Sequence, residues 1–285
     1  MKVVGTGEDL RRALDRARVD GRTIGIVPTM GALHDGHLSL VQAARARCDV
    51  VIVSIFVNPL QFGPQEDFAT YPRDERGDLE VLRAAGTEVV FTPSIEEMYP
   101  QGASTVVSVG PLGSMLEGEH RPGHFDGVCT VVAKLLHMVE PDVAFFGQKD
   151  AQQVAVVKRM VLDLNFGVDI AVCPIVREPD GLAMSSRNAH LSTEERVKAT
   201  VLYRALQSGR AALDGGAGFE TAEKEMLKML EGGETVEADY ARIVDPDTFE
   251  DPAPRRSVLL AVAARVGSTR LIDNLHWEPA DAAGR

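Results

Sequence analysis

An α/β protein is predicted, with a parallel-sheet domain over residues 1–180 and a smaller α+β domain over residues 181–285, and three features of the chain lead to it. The run Asp49 to Val57, Asp-Val-Val-Ile-Val-Ser-Ile-Phe-Val, is almost continuously apolar, the pattern of a strand buried on both faces as in a parallel sheet. Before it come a β-rich run, Thr23 to Val27, and a segment with Leu38, Leu40, Val41 and Ala44 at helical spacing, so strand, helix and strand follow as a βαβ unit. From Ser192 the character changes to charged helical stretches split by Gly215-Gly216-Ala217-Gly218 and then three apolar runs, which sets a boundary near Asp180. The 285 residues allow one large or two modest domains, and a hydrophobic content of 45% is ample for a core.

In order, Glu8 to Val19 carries leucines and alanines at helical spacing, with Thr6 or Gly7 near its start. Pro28 and Gly31 break the chain between the strand at Thr23 to Val27 and the next helix. After Asp49 to Val57 comes the Asn58-Pro59 turn, then a helix over Asp74 to Ala85 and a strand over Glu88 to Thr92 that ends at Pro93. Gly102 to Gly127 is richer in glycine and includes a polar loop, Glu119 to Gly127, ahead of an apolar helix over Val128 to Val139. A strand at Asp142 to Phe146, a helix at Ala151 to Leu162 with Asp150 at its cap, and a strand at Asp169 to Val176 complete the first part. Ser192 caps a long helical stretch to about Leu213, Phe219 to Leu230 forms another helix, and strands are expected at Val236 to Ile243, Ser257 to Ala264 and Thr269 to Asn274.

With 30 basic against 42 acidic residues the formal net charge is −12, and no long Lys/Arg block occurs, which argues against a dedicated nucleic-acid surface. The first ten residues have no signal-peptide apolar stretch, and no window approaches the roughly 18 apolar residues of a membrane span, so a cytosolic protein is expected. Cys48, Cys129 and Cys173 are scattered in apolar surroundings and read as buried free thiols.

The stretch with most chemistry is Pro28 to Ser39, Pro-Thr-Met-Gly-Ala-Leu-His-Asp-Gly-His-Leu-Ser. His34 and His37 share one face of a helical first turn, and Gly36 lets a ligand approach the backbone. A helix start suits phosphate, and two imidazoles there can donate hydrogen bonds to phosphoryl oxygens; one of them capping the helix is the competing reading. Asn58 and Gln61 lie just past the carboxyl end of a strand, where open α/β sheets bind small molecules, although an ordinary Asn-Pro turn has the same composition. Arg121 and His124 are candidates for a site rim on the polar loop. Gly147-Gln148-Lys149-Asp150 offers backbone approach and then a lysine at a helix entrance, without the spacing of a Walker A loop. Met184-Ser185-Ser186-Arg187-Asn188 supplies two hydroxyls and a guanidinium that can follow phosphate charge.

Together these stretches resemble the pantothenate synthetase (pantoate–β-alanine ligase) family over nearly the whole chain. The likeness is carried by Pro28 to His37, Phe56-Val57-Asn58-Pro59-Leu60-Gln61-Phe62, Tyr71-Pro72-Arg73, Arg121-Pro122-Gly123-His124-Phe125, Gly147 to Asp150 with Gln152-Gln153, Met184 to Asn188, and Thr269-Arg270-Leu271-Ile272-Asp273-Asn274. The His-x-Gly-His and Met-Ser-Ser-Arg pair is also similar to the HIGH and KMSKS pair of the wider nucleotidyltransferase superfamily. The resemblance implies a Rossmann-like N-terminal domain, a C-terminal α+β lid domain that closes on it, and a homodimer. It implies that the carboxylate of (R)-pantoate attacks the α-phosphorus of ATP, releasing pyrophosphate, and that β-alanine then attacks pantoyl adenylate, releasing AMP. By position it assigns Met30, Gly31, Ala32, Leu33, His34, Asp35, Gly36 and His37, together with Gly147, Gln148, Lys149 and Asp150, to ATP, with Val176, Met184, Ser185, Ser186 and Arg187 completing that site. His37 matches the family's proton donor; here both histidines are read as stabilising charge at the α-phosphorus, with Lys149, Ser185, Ser186 and Arg187 on the β- and γ-phosphates. Gln61 and Gln153 match the pantoate-binding glutamines, Gln61 also lying where β-alanine enters. Mg2+ should accompany ATP on its phosphate oxygens, with no protein ligand assigned.

Other readings of the same scaffold are a cytidylyl- or adenylyltransferase, which would want more basic residues for a phosphorylated acceptor, and a nucleotide-binding sensor without turnover. An aminoacyl-tRNA synthetase shares the signature pair, but this chain is short, acidic and without an evident anticodon domain.

Overall fold

The structure, a computed structural model, describes residues 1–64, 66–232, 235–254 and 256–279. The chain divides into two units, the first made of Met1–Gly147 and Val156–Pro174, the second of Gln148–Ala155 and the chain from Ile175 onward. Along the chain the first unit holds β1 (Lys2–Val4), α1 (Gly7–Val19), β2 (Ile24–Thr29), α2 (Asp35–Arg47), β3 (Val50–Ile55), α3 (Glu75–Ala84), β4 (Val89–Phe91), the short α4 (Ile95–Met98) and α5 (Glu117–His120), α6 (His124–Val139) and β5 (Val143–Gly147). Helix α7 (Ala151–Asp163) begins in the second unit and ends in the first, where β6 (Asp169–Cys173) follows.

All six strands pair in parallel in the order β1-β4-β3-β2-β5-β6. The expected βαβ unit is β2, α2 and β3, paired in register from Ile24 with Val50 to Thr29 with Ile55. Val27, Val51, Val53, Val90 and Phe145 of the sheet pack with Val41 of α2 and Leu82 of α3, which is why these strands read as unbroken apolar runs. Strand order reverses between β2 and β5, and ligands of such sheets bind beyond the carboxyl ends of the strands at that reversal.

The second unit continues with α8 (Thr193–Lys198), α9 (Val201–Asp214), α10 (Phe219–Glu231), β7 (Val236–Val244), β8 (Val258–Val266) and β9 (Thr269–Trp277). Its three strands form an antiparallel sheet, β7-β8-β9, whose Leu260 and Val262 pack with Leu202 and Leu206 of α9 and Met226 and Leu230 of α10. This is the α/β domain followed by helices and a small sheet that the sequence predicts.

Several boundaries differ from expectation. The long helix after Ser192 is two helices, α8 and α9, the ladder changing at the break to i→i−3 bonds from Thr200 N to Val197 O and from Leu202 N to Ala199 O. The last strand of the first unit stops at Cys173 instead of Val176, since Pro174 has no N–H for the ladder. The polar loop is shorter than expected: α6 starts at His124, where Gly123 adopts φ 80°, and α5 lies within the glycine-rich stretch. Among the described residues no helix is long and apolar enough to cross a membrane.

Candidate active site

In the first unit the site begins where β2 ends. Thr29 Oγ1 donates to Ser54 O at 2.7 Å and accepts from Gly31 N at 3.2 Å, which ties the turn to β3. Gly31 and Ala32 then take φ 80° and 50°, a left-handed conformation that is easy for glycine and strained for alanine. The buried carboxylate of Asp78, on α3, holds it by accepting from Ala32 N at 2.9 Å and Leu33 N at 2.8 Å. A Cβ at position 31 would lie 2.8 Å from Asp78 Oδ2, so the carboxylate as well as φ demands glycine there.

His34 is the N-cap of α2, and His37 sits in its first turn. His34 Nδ1 accepts from Gly36 N at 3.1 Å, and His37 Nδ1 accepts from His34 N at 3.3 Å, a capping box made of imidazoles. A ring nitrogen that accepts carries no proton, so the proton of each ring is on Nε2. The rings are 4.1 Å apart between centroids, and two N–H donors therefore stand beside the N-terminal end of α2, whose dipole favours an anion. The capping reading holds for both histidines, and the cap also fixes the tautomer, so capping does not compete with a donor role for Nε2.

Beyond β3, Asn58 is 1% exposed and caps the 3-10 turn Pro59–Gln61. Its Oδ1 accepts from Tyr99 Oη at 2.8 Å and Leu60 N at 3.3 Å, while its Nδ2 donates to Gln61 Oε1 and to Gly127 O, both at 3.0 Å. The Asn58 amide fits only one way round, and it turns Gln61 with it: Oε1 is used internally and Nε2 is the donor, 3.2 Å from Met30 Sδ. Burial pushes the Tyr99 hydroxyl well above its ordinary pKa, so it remains a donor. Gly127 has no room for a side chain, because a Cβ would run into the backbone of Leu60 and Gln61.

Arg121 and His124, expected at a rim, lie beneath Gln61. His124 Nδ1 donates to Gln61 O at 2.8 Å, and its Nε2 faces Arg121 Nη1 at 3.1 Å. Arg121 also grips Glu66 through Nε at 2.8 Å and Nη2 at 2.6 Å. Burial, and then the Arg121 charge, push the His124 pKa down to about 4, so the ring is neutral at pH 7.

The second unit holds the 3-10 turn Gln148–Asp150 that opens α7, with Lys149 Nζ 3.8 Å from Asp150 Oδ1 and Gln153 half-buried in the first turn of the helix. Met184 N donates to Val176 O at 3.0 Å and Glu178 N to Leu182 O at 2.8 Å, so residues 176–184 form a hairpin. Ser185 caps the turn Ser186–His190 by accepting from Arg187 N at 3.3 Å, and Asn188 Nδ2 donates back to Ala183 O at 3.1 Å. Asp78, Tyr99 and Glu66 in one unit, and Arg177, Asp273 and Asn274 in the other, support these groups and received no role from the sequence. A signal existed for Asp78, a carboxylate one helical turn before the core residue Leu82, and for Asp273 and Asn274, a polar pair flanked by Leu271, Ile272 and Leu275.

Burial raises all three thiols, Cys129 up to about 12, so none is offered as a thiolate. Among the described residues no three His, Cys, Asp or Glu side chains gather as a metal site. The donors present suit polyphosphate and a neutral or carboxylate-bearing acceptor, a chemistry of positioning and charge stabilisation.

Residues 2–276 match the family model described as pantoate-beta-alanine ligase. The pantothenate synthetase of Acidobacterium capsulatum is 55% identical over 262 residues, covering 89% of this chain and 86% of that protein. That of Thermotoga petrophila is 52% identical, covering 96% and 99%. Among solved structures, the pantothenate synthetase of Thermus thermophilus superposes with a TM-score of 0.94 at 48% identity, covering 98% of this chain and 100% of that one. The pantoate-beta-alanine ligase of Francisella tularensis, complexed with beta-gamma ATP and beta-alanine, gives 0.81 at 33% identity, covering 96% and 97%.

Proposed function

The chain belongs to the pantoate–β-alanine ligase family and is an ATP-dependent ligase of these two acids, and from that premise we propose that it works through pantoyl adenylate with the roles that follow. The pantoate carboxylate attacks the α-phosphorus of ATP and pyrophosphate leaves; the β-alanine amine then attacks the acyl carbonyl and AMP leaves. The observation that carries the proposal is the pair of imidazoles locked with Nδ1 accepting, which makes both Nε2–H groups donors at the N-terminus of α2. They stabilise charge on the α-phosphoryl oxygens by hydrogen bonding. ATP is held by Met30 to His37, by Gly147 to Asp150, by Val176 and by Met184 to Arg187, with Lys149, Ser185, Ser186 and Arg187 on the β- and γ-phosphates. Support comes from the relative that binds an ATP analogue and β-alanine.

Gln61 and Gln153 take pantoate, Gln61 through its Nε2–H donor. Asn58, Arg121 and His124 act on the substrate through Gln61, whose side chain and carbonyl they hold. Mg2+ would accompany ATP and offset phosphate charge during pyrophosphate release, with no side chain of this chain assigned as its ligand. A homodimer in the cytosol completes the proposal; free thiols at Cys48, Cys129 and Cys173 suit a reducing compartment. The test is to supply ATP, Mg2+ and pantoate with and without β-alanine, following AMP, pyrophosphate and, by mass spectrometry, pantothenate. Pyrophosphate release that needs pantoate, with pantothenate formed in step with AMP once β-alanine is added, is expected. Amide formation with phosphate and ADP as products would overturn the adenylate route.

A further inference from the structure

The stretch Thr269 to Asn274 shares in the family likeness but has no part in the roles above. It places Asp273 and Asn274, each 3% exposed, on β9 among apolar neighbours. Asn274 Nδ2 donates to Gln148 O and to Lys149 O, both at 2.9 Å, and its Oδ1 faces Gln148 Nε2 at 3.2 Å. Those two carbonyls belong to the peptide planes on either side of the Lys149 Cα. One NH2 group reaches both only when both planes are set, and setting both fixes the direction in which the Lys149 side chain leaves the backbone.

Asp273 makes the companion contact. Arg177 Nη1 and Nη2 donate to its two carboxylate oxygens at 2.6 and 2.9 Å, and Arg177 also donates to Gly181 O at 3.0 Å and lies 4.1 Å from the centre of the Tyr203 ring. Arg177 bridges to Ala183 across the hairpin that leads into Ser185. Burial pushes the Asp273 carboxyl up in pKa, and the Arg177 guanidinium opposes it. Buried polar pairs of this kind are often no more stabilising than apolar residues of similar size, so stability alone is a poor reason for two of them side by side.

We propose that Asp273 and Asn274 are positioning residues for the phosphate-binding groups: Asn274 sets Lys149 through its backbone, and Asp273, through Arg177, sets the hairpin that carries Ser185, Ser186 and Arg187. The inference rests on the reading of Lys149 and Ser185 to Arg187 as phosphate-binding.

The experiment measures KM for ATP, KM for pantoate, kcat for pyrophosphate release and thermal melting in Asn274→Ala, Asn274→Asp, Lys149→Met and Trp277→Phe. Trp277→Phe is the strand control, since Trp277 Nε1 donates from the far end of β9 to Asp214 Oδ1 at 2.8 Å. Asn274→Ala should raise KM for ATP about tenfold with KM for pantoate unchanged, and Asn274→Asp should raise it further because a carboxylate then faces two carbonyl oxygens. Trp277→Phe should leave KM for ATP as it was. If Asn274→Ala does not fold, Asn274→Ser, which keeps one donor, takes its place with a rise of roughly threefold. An unchanged KM for ATP and kcat in Lys149→Met would overturn the phosphate reading of Lys149 and the inference with it. A normal KM for ATP in the Asn274 variants beside a weakened Lys149→Met overturns the inference alone, as does a rise shared equally by pantoate or matched by Trp277→Phe.

Discussion

The entrances of α2 and α7 are two donor-rich helix starts built in opposite ways. At α2 the cap is near in sequence, since His34 and His37 cap each other across three residues, and only the turn before it, at Ala32 and Leu33, takes a distant brace, Asp78 of α3. At α7 the turn Gln148–Asp150 is gripped by Asn274, 126 residues from Gln148. The histidine cap has its geometry written in the motif itself, whereas the α7 turn has the motif in one place and the cause of its geometry in another.

The local entrance should be the more sensitive to a single change, because each histidine is both brace and donor. His37→Ala is expected to lower pyrophosphate release by roughly 10² to 10³, while the lost cap costs only about 1 kcal/mol of stability. Rapid-quench measurement of the adenylation step beside a denaturant melt checks both. Near-normal release from the folded variant would remove His37 from the charge-stabilising role.

His124 tests whether the brace beneath Gln61 resembles the α2 start or the distant kind. Its folded pKa is about 4 against an ordinary 6.5, so between those values the unfolded chain binds more protons than the folded one. Stability should therefore be full above about pH 6.5 and fall as pH drops toward 4, by something on the order of 3 kcal/mol at most. In His124→Gln the acid-side slope should flatten by that amount in urea unfolding measured from pH 7 to pH 4. Identical slopes in the two proteins would mean that His124 titrates normally and is not locked between Gln61 and Arg121.

Asp78→Asn offers a smaller perturbation of the α2 entrance. The amide keeps one acceptor but turns an NH2 toward the other backbone donor, so the variant should lose about 1–3 kcal/mol and slow adenylation with it. If kcat is untouched while stability falls, the left-handed turn at Gly31 and Ala32 is scaffolding without influence on His34.

How much of this was legible in the sequence follows the same division. The β2–α2–β3 unit, the three-stranded tail and the His34–His37 pair were readable because period, breakers and capping residues lie within a few positions of one another. Rim positions for Arg121 and His124 followed from a polar composition that says nothing of burial; only the fold shows that Glu66 neutralises Arg121 and that the Gln61 carbonyl receives the His124 proton. The roles of Tyr99, Asp273 and Asn274 depend on partners 41 to 126 residues away, a range at which periodicity carries no information. Short boundary differences had local causes that composition masks, such as the i→i−3 bonds around Thr200 that divide one apparent helix into two.

Tyr99→Phe makes the finest cut. It removes the hydroxyl that donates to Asn58 Oδ1 and leaves the shape of the site nearly unchanged. The Asn58 amide is then still oriented by Leu60 N and by Gly127 O, so the loss should be modest, about 1 kcal/mol in stability. The more telling quantity is the balance between substrates. With one of the two donors to Oδ1 gone, the Asn58 amide holds Gln61 Oε1 less firmly, and KM for pantoate should rise about two- to threefold with KM for ATP unchanged. Asn58→Asp strengthens the contrast, since a carboxylate there accepts only and draws Gln61 Nε2 inward, reversing what the substrate meets. A pantoate KM that stays constant in both variants would show that Gln61 is oriented by the substrate rather than by Tyr99 and Asn58.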